Sequence, residues 1–160
     1  MAIAGKRILA IGIAITALAC LFPLNVFVIT AAEQTCYLRS PDFELSWRHS
    51  VEHQLWREHY RRDGDSILLD QTLLQTFGAG TPSQGEVIPA PNGYVAYRQQ
   101  LHFNEINWVV SANMQGSLTA KEQVIPLYQF VPDYSVIRII PSRTTLLFFL
   151  LGRSCHDRPT

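Results

Sequence analysis

From Ile8 to Ala31 the chain runs 24 residues without a charge, after Lys6 and Arg7 and before Glu33. As a helix rising ~1.5 Å per residue this run would cover roughly 36 Å, enough to cross a hydrocarbon core of about 30 Å with some tilt. Pro23 is a candidate kink. Basic residues on the short leading side place that end in the cytoplasm and send the rest of the chain to the outer face. The expectation is a single-pass protein of the bacterial inner membrane, with residues 1–32 as a transmembrane anchor and residues 33–160 as a periplasmic domain. Two alternatives use the same run. One is a cleaved leader ending at Thr30-Ala31-Ala32, and the other is lipidation at Cys20.

The exported part is small. At 160 residues in total the chain has room for one modest domain. Net charge is zero, with lysine only at positions 6 and 121, so no basic field is available to hold nucleic acid. Of three cysteines, Cys20 falls in the expected span and leaves Cys36 and Cys155 near the two ends of the exported part. In an oxidising compartment that pair could close a long loop and stabilise by ~4 kcal/mol, and two free thiols are the alternative.

Beyond Asp42 the period is two. Phe43, Leu45, Trp47, His49 and Val51 alternate with polar residues, which predicts a strand with one apolar face. Trp56, Glu58 and Tyr60 alternate with Arg57, His59 and Arg61 and predict a second strand before the Asp63-Gly64 turn. Further strands are predicted over 66–77, 94–103, 107–111, 123–128 and 135–140, each bounded by Gly, Pro, Asn or Asp. The expected fold is mainly β: a small antiparallel sandwich or partly open barrel preceded by one N-terminal transmembrane helix. The apolar tail over 144–152 is too short to span, and reads either as a buried last strand or as an exposed apolar patch meeting a membrane protein or the bilayer.

His49-x-x-Glu52-His53 carries the ligand spacing of one class of zinc peptidases. That chemistry needs both imidazoles on one side of a helix, with nitrogens ~2 Å from the metal. On a strand, residues four apart are separated by about 13 Å and cannot share an ion. The alternation from Phe43 through His49 favours a strand, so no metal site and no cofactor is expected there. A small metal-dependent hydrolase using His49, Glu52 and His53 is kept as an alternative. Gly78-Ala-Gly80 lacks the third glycine of a dinucleotide loop and the Gly-Lys-Ser/Thr of a phosphate loop, and reads as a turn or as a loop over a ligand.

The series Phe43-x-Leu45-x-Trp47-x-His49-Ser-Val-Glu52, Trp56-x-Glu58-x-Tyr60, Phe77-Gly-Ala-Gly80-x-Pro82, Ile125-Pro-Leu-Tyr128 and Val136-Ile-Arg-Ile139 resembles the bacterial domain-of-unknown-function family 1850. Members are small proteins with an N-terminal hydrophobic segment, encoded beside or fused to TAXI-type TRAP transporters. The resemblance implies a non-catalytic accessory subunit for organic-acid uptake, whose partners are the transporter's membrane subunit and its TAXI solute-binding protein. A periplasmic ligand-binding module is a further alternative. His49, Glu52, Trp56, Glu58, Gly78, Gly80 and Pro82 are the candidate partner or ligand surface, with Trp56 as its energetic anchor. The family often has Thr-Pro where this chain has His53-Gln54-Leu55, so His53 stands outside the shared motif.

Overall fold

A computed structural model describes residues 11–12, 16–32, 34–78, 80–82 and 85–155. Two antiparallel sheets form a sandwich. The smaller contains β1 Pro23–Ala31, β2 Gln34–Leu38, β8 Ile106–Val110 and β11 Ser135–Thr145, in the order β2-β1-β11-β8. The larger contains β3 Asp42–Arg48, β4 Leu55–Asp63, β5 Ser66–Leu74, β6 Glu86–Ile88, β7 Val95–Phe103, β9 Ser117–Ala120 and β10 Gln123–Ile125. Its order is β10-β9-β3-β4-β5-β7-β6. A 3₁₀ turn, Leu127–Gln129, and a short helix α1, Leu146–Leu151, complete the described elements.

The apolar run does not continue as one helix. Residues 16–20 are helical, but Pro23–Ala31 is strand β1, hydrogen-bonded between β2 and β11. Val26, Val28, Ile29 and Thr30 are β-branched, and Pro23 sits at the first strand position, where its missing N–H costs no ladder bond. Val26, Phe27 and Ile29 are buried, so this segment supplies core rather than lipid contact. Two expectations are corrected: the β domain begins at Pro23 instead of residue 33, and the 24-residue span loses its last nine residues. Among the described residues no helix is long and apolar enough to cross a membrane. The leading part of the expected span, at 1–10 and 13–15, and the tail at 156–160 lie outside the described residues.

The core is where the period-two faces meet. Phe43, Leu45 and Trp47 of β3 and Trp56, Glu58 and Tyr60 of β4 point inward together, because the pairs Phe43–Tyr60, Leu45–Glu58 and Trp47–Trp56 are in register. Phe27 meets Phe43 edge-on at 4.9 Å, and Phe43 stacks on Tyr60 at 5.3 Å. A bulge at Asp70 breaks the β4–β5 register and turns its carboxylate onto the His59 ring, with Oδ1 2.7 Å from Nδ1. Arg62 bolts the two sheets at one end, donating from Nη1 to the carbonyls of Val26 and Ser142, each at 2.9 Å.

Of the two readings of the tail, the buried last strand does not hold: residues 146–151 are helical, apolar and unburied. β11 runs on to Thr145, and the chain turns into α1, where the Thr145 hydroxyl accepts from the Phe148 N–H. Residues 153–155 then return beside β2, with Tyr37 N–H donating to Arg153 at 2.9 Å and Cys155 N–H to Tyr37 at 3.1 Å. A disulfide joins Cys36 to Cys155.

Candidate functional site

The β3–β4 connection is where the structure departs from the expected strand. β3 ends at Arg48: beyond Ser46 it has lost β9 as a partner, Arg48 N–H donates to Met114 O at 2.7 Å, and past that point the backbone must satisfy itself locally. Residues 49–54 do so by turning. His49 N–H donates to Gln54 at 2.8 Å and His53 N–H to His49 at 3.0 Å, with His53 in the left-handed region at φ 55°. The alternation therefore runs three residues too far in the sequence reading, and His49 through Glu52 lie in a turn.

That turn packs against the loop after β5. His49 stacks on Trp56, with ring centroids 4.5 Å apart, and its Nδ1 lies against the Glu52 carboxylate. Trp56 continues to Trp47 at 6.0 Å, and Trp47 meets Trp108 edge-on at 5.9 Å, so an aromatic row links the turn to the opposite sheet. On the other side of Glu52 stands Gly78. A Cβ there would lie 2.4 Å from the Glu52 carboxyl, so only glycine allows the two loops to close without moving that side chain. Thr81 fixes the second loop: its hydroxyl accepts from Gly78 N–H and donates to Gly78 O, each at 2.8 Å. Gly80, at φ +88°, passes over the Trp56 indole.

The structure thus brings His49, Glu52, Trp56, Gly78 and Gly80 together, while Pro82 lines a neighbouring groove with Gly85 and Gln99. Trp56 is only 4% exposed, which makes it the post on which the loops rest and removes it as a direct contact for a partner. Glu58 lies further along the inner face of β4, accepting from the Tyr60 hydroxyl at 2.5 Å. His53 is exposed, and no group of three His, Cys, Asp or Glu side chains placed to hold a metal occurs among the described residues. The residues missed by sequence reasoning are outward ones. Val51 is 69% exposed, Phe77 58% and Leu55 37%, and the β3–β4 connection with its flanking Leu55 and the loop after β5 display all three. Gln75 N–H donates to Leu55 O at 3.3 Å and its side-chain Oε1 accepts from Leu55 N–H at 2.8 Å, which ties the bases of those loops together.

The family model for a domain of unknown function, DUF1850, matches residues 43–127, more than half of the chain. The chain belongs to this family. No curated protein and no solved structure matches it. The DUF1850 match begins on β3 and ends at Leu127, so it contains both loops and the aromatic row. The strands β1, β2 and β11, the helix α1 and the disulfide lie outside it.

The inward-facing Glu58 carboxyl should make the stability of this DUF1850 domain depend on pH. Burial raises the Glu58 pKa above its ordinary 4.5, against a smaller lowering by the Tyr60 hydrogen bond, and burial beside Glu58 raises the Tyr60 phenol well above 10.0. The folded carboxyl therefore holds its proton to higher pH than the unfolded one. Its contribution to stability is fully present below the unfolded value and is lost as pH rises through the folded value. Glu58→Gln keeps an acceptor for Tyr60 without the charge. It should gain stability relative to the parent as pH rises from 4 to 7, measured by urea unfolding; a difference constant across that range would contradict the assignment.

Proposed function

We propose that this DUF1850 domain is a non-catalytic docking module: an accessory or stabilising subunit of a TAXI-type TRAP transporter, held at the outer face of the bacterial inner membrane by its leading apolar segment. The observation that carries the reading is the display of Val51, Leu55 and Phe77 around loops whose inner sides are His49, Glu52, Trp56, Gly78 and Gly80, all within the family match. Exposed large apolar residues on a preorganised frame are what a partner-binding surface needs, because little ordering entropy remains to be lost on association. The Cys36–Cys155 disulfide supports an oxidising, extracytoplasmic setting for the domain.

His49, Glu52, Trp56, Gly78 and Gly80 act in this reading as the frame, and Val51 and Phe77 as the contact. Detergent extraction and co-purification with the transporter's membrane and solute-binding subunits tests the division of labour. Val51→Asp with Phe77→Asp changes only exposed side chains, and should reduce recovery of the transporter subunit at least tenfold, about 1.4 kcal/mol, with an unchanged thermal midpoint. Equal recovery from parent and variant would remove the docking role of these loops.

A further inference from the structure

The opposite end of the sandwich carries a second surface that the docking reading does not use. β4 spans nine residues, so its Asp63 end lies roughly 26 Å from Leu55 and the loops above it. At that end β1 starts, β11 finishes and α1 crosses over them, with Leu146 N–H donating to Phe22 O at 2.9 Å. The six residues of α1 are all Leu or Phe, and none is buried: Phe148 is 64% exposed and Leu151 76%. Leu18, Leu21 and Phe22, which lead into β1, are exposed as well.

Cations gather beside this apolar surface. Arg39, Arg62, Lys121 and Arg143 line one open cleft, and the Arg39 guanidinium lies 5.9 Å over the Phe149 ring, which joins cleft to helix. Arg62 is committed to backbone carbonyls, and Asp65 pairs with Arg143 at 3.2 Å. Arg39 and Lys121 are exposed and have no acidic partner among the described residues, although Glu122 follows Lys121 in the same turn. An exposed apolar edge bordered by a cationic cleft, in which Arg39 and Lys121 lack an acidic partner among the described residues, suits an anionic bilayer surface: acyl chains for α1, headgroup phosphates for the cleft. The chain's own course agrees, since the largely apolar residues 16–22 enter the domain at this edge, where Phe22 O accepts from Leu146 N–H.

We infer that α1 and the Arg39–Lys121–Arg143 cleft form a docking surface for anionic phospholipid, which seats the domain on the bilayer with the Val51 and Phe77 loops pointing away. The inference goes beyond the transporter reading and needs no transporter subunit.

The test uses the full chain, with its disulfide intact, in a Cys20→Ser background and reconstituted into vesicles. A nitroxide is placed at Phe148→Cys or, as a control in the far loop, at Gln54→Cys. In vesicles of three parts zwitterionic to one part anionic phospholipid, the label at 148 should collide several-fold more often with oxygen than with a water-soluble nickel chelate. The label at 54 should show no such preference. The preference at 148 should fall to the level at 54 in purely zwitterionic vesicles and in the Arg39→Gln, Lys121→Gln, Arg143→Gln variant, whose substitutions are all exposed. Equal immersion at 148 in neutral vesicles, or water exposure at 148 in anionic ones, would overturn the inference. A separate label on native Cys20 reads the leader: immersion at 20 with water exposure at 148 keeps the anchor and overturns the docking surface.

Discussion

Replacing Cys36 and Cys155 together with alanine should lower the unfolding free energy by about 4–5 kcal/mol, the chain-entropy value for a link between residues 119 apart. Small domains have roughly 5–15 kcal/mol in all, so the variant would stand near the edge of stability. The reason the link has so much to hold is topological. β1 and β11 form the centre of the smaller sheet, yet one edge of that sheet is β2, five residues long, and the returning chain beside it is held by backbone bonds around Tyr37 and an exposed Arg153–Gln34 side-chain bond at 3.0 Å. The disulfide fastens that edge to the end of the chain. Urea unfolding of the oxidised parent, the reduced parent and the double variant provides the measurement. The latter two should share one lowered midpoint, and three coincident midpoints would contradict the role assigned to the bond.

Arg62→Met should cost about 3 kcal/mol. The side chain has 9% exposure and donates to Gly64, Val26 and Ser142 carbonyls at 2.8, 2.9 and 2.9 Å. Methionine fills similar space but leaves three acceptors without this donor, two of them on the opposite sheet, and charged hydrogen bonds contribute about 1.5–3 kcal/mol each before the relief of desolvation. That relief is real: burial lowers the Arg62 pKa, with Asp65 opposing it. The guanidinium stays protonated nonetheless, so the cost should be the same from pH 5 to 9. Arg62→Lys should recover only part of it, because a point-charge ammonium cannot reproduce the planar fork. A loss below 0.5 kcal/mol by urea unfolding, a level ordinary for surface changes, would show that the sheets are held together without this bolt.

The parts of the fold that could be read from sequence were those with one face wet. β3 and β4 alternate because their outer side meets solvent and ion pairs such as Arg57–Glu44, at 2.8 Å, and the Asp63-Gly64 turn comes directly after them. β1 does not alternate, since it lies mid-sheet with residues buried on both of its sides, and a doubly buried strand has the hydropathy of a membrane span. Its β-branched residues were the signal that distinguished the two. α1 hid for the converse reason. Six apolar residues have no polar face and so no period, and the Thr145 cap was the legible mark of its start.

The site was legible by residue and illegible by contact. His49, Glu52, Trp56, Gly78 and Gly80 were all candidates, but their meeting depends on two loops closing over the end of a sheet, and no local pattern encodes that closure. The same alternation that placed Trp56 beside Glu58 and Tyr60 on one face already put it inside. What it could not supply was which loop residues would be left outside, since Val51 continued the apolar series of β3 right up to the point where the strand ended.

Photo-crosslinking in living cells tests the docking claim at the level of single positions. With a photoreactive residue at Val51 or Phe77, the account predicts an adduct with a TRAP transporter membrane or solute-binding subunit, identified by mass, and none from the same residue at exposed Gln100 on β7. Adducts of equal yield from all three positions, or none from Val51 and Phe77, would contradict it.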